Sequence, residues 1–486
     1  MGILTNLEPK PVFQYFEEIC GIPHGSSNTK EISDYLVAFA KKHDLRVIQD
    51  DKNNVIIWKE GTAGYEETAP VLLQGHMDMV CEKEEGVEID FAKEGVRLQL
   101  QDGVITAQGT TLGGDDGIAV AYMLAILSST DIPHPPLEAV FTVDEEIGML
   151  GAAALDASVL KARTMLNIDS EEEGYLLVSC AGGMAVTVHL PVQKEKTEGI
   201  PVTLTVNGLQ GGHSGVEIDK GRGNANQILG RILYELEKTF SFRICEVSGG
   251  LKDNAIPRQA EAKLLFASSD QDRIVEFKAA VKELSQILAK EYRQTDPEVE
   301  LAVDSGDGVH TIPVMTADTA EKVVAALVCL PGGIQRMSAD VEGLVQTSLN
   351  LGILKTEEDE VSFSFAVRSS VETEKKELVN RISCLVTALG GTVSCSGEYP
   401  AWEYRQNSPL RDRMVEVFEE QYGRKPVVQA IHAGLECGLF AGKLPGLDCV
   451  SFGPDMKDIH TPKESMDVES VRRTWDYTLE VLKRLR

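Results

Sequence analysis

In residues 28–45, NTKEISDYLVAFAKKHDL, apolar positions recur every three or four residues among charged ones, the spacing of a helix that buries one face. The segment NNVIIWKE then sets three β-branched apolar residues side by side and reads as a strand. Alternation of this kind continues to about residue 190. Residues 70–80 form a short apolar run that reads as a buried strand, and residues 110–127, TTLGGDDGIAVAYMLAIL, read as a glycine-rich loop opening a strongly apolar helix. Residues 137–147 and 165–169 are strand-like runs that end in acids. Helices alternating with apolar strands predict an α/β core.

After residue 190 the grammar changes. VTLTVNGL, a helix over 224–236, EAKLLFAS, a helix over 274–292 and VELAVDS are followed by a second run of similar order: a helix over 316–328, LVQTSLNLGIL, VSFSFAVRS, a helix over 372–389 and GTVSCSG. Two such runs suggest a duplicated unit of strands and helices. Residues 410–420 and 469–485 read as helices that return to the first core. The expected organisation is an α/β domain in two pieces, 1–190 and 399–486, interrupted by an inserted α+β domain over 191–398.

Candidate chemistry collects where the strands end. PVLLQGHMDMV carries His76 and Asp78 just past a strand, two residues apart and so on one side of an extended chain. Asp78 is placed to accept the second ring N–H of His76, the support a metal-bound histidine needs, although a buried histidine in a salt bridge has the same pattern. In TTLGGDDG, Asp116 reads as a helix cap, whereas Asp115, behind flexible glycines, is free to point elsewhere. LEAVFTVDEEI ends in Asp144, Glu145 and Glu146, which is either a solvated acidic turn or a cluster neutralised by a cation. MLNID ends in Asp169, and His460 lies in a loop after the strand-like GLDCVSF. Ligand sites in open α/β sheets gather outside the carboxyl ends of the strands, so these endings point at one crevice. His76, Asp115, Glu146, Asp169 and His460 together suggest a two-metal centre, with Glu145 beside it to take a proton from water.

Composition narrows the partners. At 486 residues the chain exceeds one ordinary core. Its 47 basic and 76 acidic residues give a net charge of −29, which argues against a nucleic-acid or anionic-membrane partner and favours attraction of divalent cations. No apolar stretch is long enough to span a membrane, and the opening MGILTNLEPKPVFQYFEEIC is amphipathic and acidic, so a cytoplasmic location is expected. Nine dispersed cysteines without a CxxC pair fit a reducing compartment and no structural disulfide.

The segments GHMDMV, LGGDDGIAVA, TVDEEIGMLG, NIDSEEEG, GGHSGVEI, HAGLECGLF and DIHTPKE, taken together and in this order, resemble the aminoacyl-histidine dipeptidases, within the superfamily of co-catalytic zinc peptidases and deacylases. The resemblance covers essentially the whole chain. It implies a zinc-peptidase catalytic domain with a mixed central sheet, interrupted by an α+β lid domain. It further implies that Asp115 bridges two zinc ions, with His76 and Asp169 completing one and Glu146 and His460 the other; cobalt or manganese suits the same ligands. Glu145 is implied as general base and later proton donor, and Asp78 as the carboxylate that orients His76. His213, whose glycine-rich surroundings otherwise read as a simple turn, resembles a lid residue that stabilises a tetrahedral oxyanion. Asp116 departs from the neutral Asn expected at its position and adds a negative charge beside a ligand.

Four further residues are candidates for holding substrate. Arg368, ending an alternating strand, offers a planar fork to a carboxylate, or is simply solvated. Asn254 offers an amide donor, or serves a turn before Pro257; Gly434 exposes backbone donors; Glu436 pairs with a free amine, or forms a salt bridge in the core. The implied activity is hydrolysis of small unblocked dipeptides, preferring a C-terminal His, by a homodimer. An N-acyl-amino-acid deacylase would use the same metals and base, and a metal- or peptide-binding protein without activity would retain the ligands.

Overall fold

A computed structural model describes residues 2–486. The chain divides into two compact units, one comprising residues up to Cys180 with 404–430 and 435–486, the other residues 181–403 and 431–434. Each has a hydrophobic core of its own. Among the described residues no helix is long and apolar enough to cross a membrane.

The first unit is built on a mixed eight-stranded sheet in the order Arg46–Gln49, Val55–Lys59, Leu137–Thr142, Val71–His76, Thr164–Asn167, Asp448–Ser451, Tyr175–Cys180, Val427–Ile431. The four strands from Leu137–Thr142 to Asp448–Ser451 run parallel, and Leu73 stands opposite both Ala139 and Leu166. Every residue of Val71–His76, Leu137–Thr142 and Asp448–Ser451 is buried. Strands covered on both faces read as near-continuous apolar runs, as these largely do in the sequence. Because they are parallel, their carboxyl ends lie along one edge of the sheet. The helix Gly114–Ser128, buried along nearly its whole length, packs between the helix Lys10–Cys20 and the His76 strand. A small second sheet joins Met456–Lys457, Ser465–Asp467, Val104–Ala107 and Leu98–Gln101, so His460 sits on the loop of a hairpin.

The second unit is organised around an antiparallel sheet ordered Glu300–Ser305, Lys194–Asn207, Ala260–Phe266, Arg243–Gly249, Val345–Thr356, Glu360–Ser369, Gly182–Pro191, Thr392–Tyr399. Two repeats meet where Gly249 pairs with Leu354. The first runs Lys194–Asn207, helix Ala225–Glu237, Arg243–Gly249, Ala260–Phe266, helix Gln271–Glu291, Glu300–Ser305; the second runs Gly182–Pro191, helix Ala317–Cys329, Val345–Thr356, Glu360–Ser369, helix Glu372–Ala388, Thr392–Tyr399. Corresponding strands occupy mirrored places in the sheet, and the whole first repeat is inserted after the opening strand of the second. The change of unit falls after Cys180 and not at residue 190, because Gly182–Pro191 pairs along its full length with Glu360–Ser369. The chain leaves again after Glu403, not 398.

Candidate active site

Asp115 lies at the start of the buried helix, where it and Asp116 depart from helical angles (φ −83°, ψ 106° and φ −116°, ψ 31°). Its two carboxylate oxygens point in different directions. Oδ1 is 3.1 Å from His76 Nε2, and Oδ2 is 3.1 Å from His460 Nε2. Asp169 Oδ1 lies 3.8 Å from His76 Nε2, and Glu146 Oε1 lies 3.0 Å from His460 Nε2. One carboxylate thus stands between two groups, His76 with Asp169 and His460 with Glu146, and all five residues proposed as ligands from sequence come together.

Asp78 supports this arrangement in a different way from the one expected. The N–H at His76 Nδ1 donates to the Asp78 backbone carbonyl at 3.0 Å, while the Asp78 carboxylate is 3.6 Å away. That carboxylate instead accepts from Ser26 Oγ (2.8 Å) and from the backbone N–H groups of Glu145 (3.1 Å) and Glu146 (3.4 Å). Asp78 therefore fixes His76 by its main chain and the Glu145–Glu146 turn by its side chain. Asp116 does not cap the helix: its Oδ2 accepts the backbone N–H of His76 at 3.2 Å, and Oδ1 has no protein partner. Burial, together with the negative Asp169 and Asp115, pushes the Asp116 carboxyl well above its usual range, which favours its neutral acid form.

Burial crowds acidic groups together in this cluster. Burial raises Glu145, and despite the pull of His76 the negative Asp169, Glu436 and Glu146 bring it to about 9. Burial likewise takes Asp169 to about 6, with Asp115 and Glu146 adding to it. Burial draws His76 down, but Asp115, Asp78 and Asp169 outweigh it and hold the ring well above its usual value; Asp115 and Glu146 push His460 up to about 10. Protons thus compensate a surplus of buried negative charge. Divalent cations would do so with nitrogen and oxygen donors at hand, displacing the histidine protons as they bind. Three triads have ligand atoms within 4.8 Å of one another: His76, Asp116 and Asp169; His76, Glu145 and Glu146; Asp115, Glu146 and His460. The residues present fit a metal pair.

Beneath this layer runs a buried polar network absent from the sequence reading. Glu436 Oε2 accepts from Gln74 Nε2 (2.5 Å) and Thr142 Oγ1 (2.7 Å), and Asn167 Nδ2 donates to Gln74 Oε1 (2.6 Å). Among the described residues Glu436 has no ion pair, so the alternative of a core salt bridge is not formed; burial pushes its carboxyl up to about 7, and Oε1 is without a partner. The signal was available: Gln74 and Asn167 are amides in short, mostly apolar strands. A second unforeseen group is Glu464, four residues past His460, whose carboxylate accepts from the backbone N–H groups of Leu112 and Gly114 at 2.8 Å.

The other sequence candidates lie in the second unit. His213 sits on a two-residue strand opposite Ala255. Its Nδ1 accepts from the N–H groups of Gly215 and Val216, both at 3.2 Å, which leaves the ring proton on Nε2. Burial and the charge of Arg368 lower its pKa, so the ring is a neutral N–H donor. Arg368 Nη1 donates to Tyr399 Oη at 2.9 Å, and its Nε is buried without a protein partner. His432, missed in the sequence, is held by Ser348 Oγ at 2.7 Å; burial and then Arg368 pull it down to about 3. Any side chain at Gly215 would meet the His432 carbonyl at 2.7 Å and the His213 ring at 2.9 Å, so that glycine lets the two histidines approach. Asn254 is exposed in a turn, and its backbone carbonyl accepts the Ser214 N–H at 2.9 Å. Gly434 precedes the helix Glu436–Lys443.

Comparison with known proteins places the chain in a family. The model of Peptidase family M20/M25/M40 matches residues 72–484. The chain is 36% identical to the cytosol non-specific dipeptidase of Escherichia coli (strain K12), over all of this chain and 99% of that protein. The crystal structure of aminoacylhistidine dipeptidase from Vibrio alginolyticus, also 36% identical, superposes with a TM-score of 0.92 over 99% of this chain and 97% of that one. Aminopeptidase PepT from Bacillus cereus ATCC 10987 shares the fold at 16% identity, with a TM-score of 0.56 over 99% of each chain. With a family match across most of its length and a full-length relative at this identity, the chain belongs to peptidase family M20/M25/M40 and is a hydrolase acting on peptide bonds.

Proposed function

We propose that the protein is a cytoplasmic two-zinc dipeptidase that cleaves unblocked dipeptides and prefers a C-terminal His. The observation that carries the metal assignment is the Asp115 carboxylate, whose separate oxygens face His76 and His460. Asp115 would be shared by the two ions, His76 and Asp169 would hold one and Glu146 and His460 the other, and cobalt or manganese suits the same donors. Once bound, such a pair polarises the scissile carbonyl and acidifies water. Glu145 takes the proton of the attacking water and hands it to the leaving amine. Its place is kept by Asp78 through the backbone of the turn.

To the second unit the reading assigns recognition of negative charge: the His213 Nε2–H for the developing oxyanion and the Arg368 guanidinium for the substrate carboxylate, with Asn254 and Gly434 as further donors. Glu436, with one oxygen unpartnered, takes the free amine. The unit acts as a lid, and the working form is a homodimer, which light scattering of the zinc-loaded protein would show as twice the 53.0 kDa chain mass. The two relatives bear different names, non-specific dipeptidase and aminoacylhistidine dipeptidase, so breadth of substrate is what must be measured. Metal-stripped protein is assayed on β-Ala-His, Gly-His, Ala-Ala and N-acetyl-Ala before and after zinc. Zinc-dependent cleavage led by the His dipeptides is expected. Equal rates on Ala-Ala would remove the His preference, faster cleavage of N-acetyl-Ala would make the protein a deacylase, and zinc binding without any cleavage would make it a binding protein.

A further inference from the structure

The Glu464 carboxylate is an anomaly in the first unit. It is 3% exposed, yet no cation faces it among the described residues. Four consecutive backbone N–H groups converge on it instead: Leu112 (2.8 Å) and Gly113 (3.2 Å) on Oε2, Gly114 (2.8 Å) and Asp115 (3.4 Å) on Oε1. These are the donors a helix leaves unpaired at its start. Here the local chain offers no side-chain cap, and the angles at Asp115 and Asp116 break the helical path. A residue about 350 positions away therefore does the capping. Two glycines make room for it: Gly113 adopts φ +72°, and a Cβ on Gly114 would lie 3.3 Å from Glu464 Oε1 and 3.1 Å from Met456 Sδ.

Glu464 also belongs to the segment that carries His460. Its own N–H closes a turn onto the Thr461 carbonyl at 3.0 Å, within the hairpin loop between Met456–Lys457 and Ser465–Asp467. His460, with its side chain 44% exposed and a left-handed backbone (φ +62°), has little packing to hold it. The hairpin thus grips residues 112–115 at two points, Glu464 on the main chain and His460 on the Asp115 carboxylate.

We propose that Glu464 is a positioning residue that sets the Asp115 carboxylate against His460, and so determines the affinity of one metal position, the one completed by Glu146 and His460, without itself touching metal or substrate. This rests on the two-metal reading above. The position completed by His76 and Asp169 is held by the sheet and by Asp78, and so depends on Glu464 far less.

The test uses full-length protein stripped of metal and titrated with zinc against a chromophoric chelator, with stoichiometry by elemental analysis. Glu464→Gln keeps the shape but turns an NH2 group toward two of the four donors. Gly114→Ala leaves Glu464 intact and pushes its carboxylate away. Asp467→Ala, which removes a helix cap on the same hairpin (Asp467 accepts the Ser470 N–H at 2.7 Å), controls for general loosening. In both Glu464→Gln and Gly114→Ala, one of two zinc ions is expected to bind roughly 10- to 100-fold more weakly and the other as in wild type, the size usual for residues that orient a ligand. Asp467→Ala should lower the melting temperature without splitting the two affinities. Retention of both ions at wild-type affinity, or equal weakening at both positions as in the control, would overturn the proposal. Fewer than two zinc ions on the wild type would overturn the two-metal reading itself, and is seen before any variant is compared.

Discussion

Replacing Glu145 by Gln separates chemistry from architecture. Glu145 donates its backbone N–H to Asp78 Oδ1 at 3.1 Å, a bond the substitution leaves in place, and the side chain keeps its size. What disappears is a proton acceptor. General-base catalysis by a positioned carboxylate contributes about 10²- to 10⁴-fold, which at 1.36 kcal/mol per tenfold is roughly 3–5.5 kcal/mol of barrier. In the proposed assignment Glu145 completes neither ion, so turnover should fall by that factor while two metals remain bound. Stability should move the other way. Burial and negative neighbours raise the carboxyl from an ordinary 4.5 to about 9 in the metal-free protein. A folded state that binds a proton more tightly than the unfolded chain loses stability as pH rises between those two values. Wild type in chelator should therefore lose more melting temperature between pH 5 and 9 than Glu145→Gln, whose neutral amide cannot ionise. Kinetics on a dipeptide with metal analysis, and thermal melts in chelator across that range, measure both. Near-wild-type turnover with both metals present, or melting curves that shift in parallel, would refute the reasoning.

Further substitutions test the surrounding roles. Asp78→Asn swaps a carboxylate that accepts three hydrogen bonds for an amide that cannot accept them all, so kcat should fall about 10- to 100-fold with zinc still bound; unchanged kcat would show that the Glu145–Glu146 turn holds itself. In the second unit, His213→Ala should lower kcat about 10²- to 10³-fold with little change in KM, the signature of a lost transition-state donor. Arg368→Ala should raise KM, by about 10- to 100-fold from a charged hydrogen bond of about 1.5–3 kcal/mol, and should matter less for substrates whose C-terminus is amidated. Identical kinetic patterns for the two variants would count against distinct roles.

Much of the fold was legible because the physics that forms it is local. Strands buried on both faces are mostly apolar, and Val71–His76 and Leu137–Thr142 announce themselves that way, with Gln74 and Glu138 as the exceptions inside them. The duplication was visible only as a rhythm, for two reasons. Arg243–Gly249 buries just Ile244 and Val247 out of seven residues, so its strand signal is faint. Gly182–Pro191 follows directly on the first unit's last strand before Cys180, and nothing in its composition says which sheet it joins; pairing with a strand some 180 positions away decides that. Restoring both strands turns an irregular series into two equal halves, one nested in the other.

The site divides along the same line. The proposed ligands could be found because His76, Glu146 and Asp169 stand at or just past the end of apolar runs, where a charge is costly without a partner, and Asp115 and His460 lie in loops beside such runs. Their supports could not, because a carboxylate that binds main-chain N–H groups leaves no pairing in the sequence. Asp78 shows the limit well: its proximity to His76 was readable, but its carboxylate is spent on the Glu145–Glu146 turn, and the histidine is served by the carbonyl next to it. Asp116 shows it again, since an acid beside a helix start is ordinarily a cap, and only burial against the His76 strand reveals it as a group best held neutral. Glu464 joins two segments through backbone donors that every residue possesses. In this protein the groups proposed to hold metal and proton are written in side-chain type, whereas the groups that hold those groups are written in long-range backbone geometry.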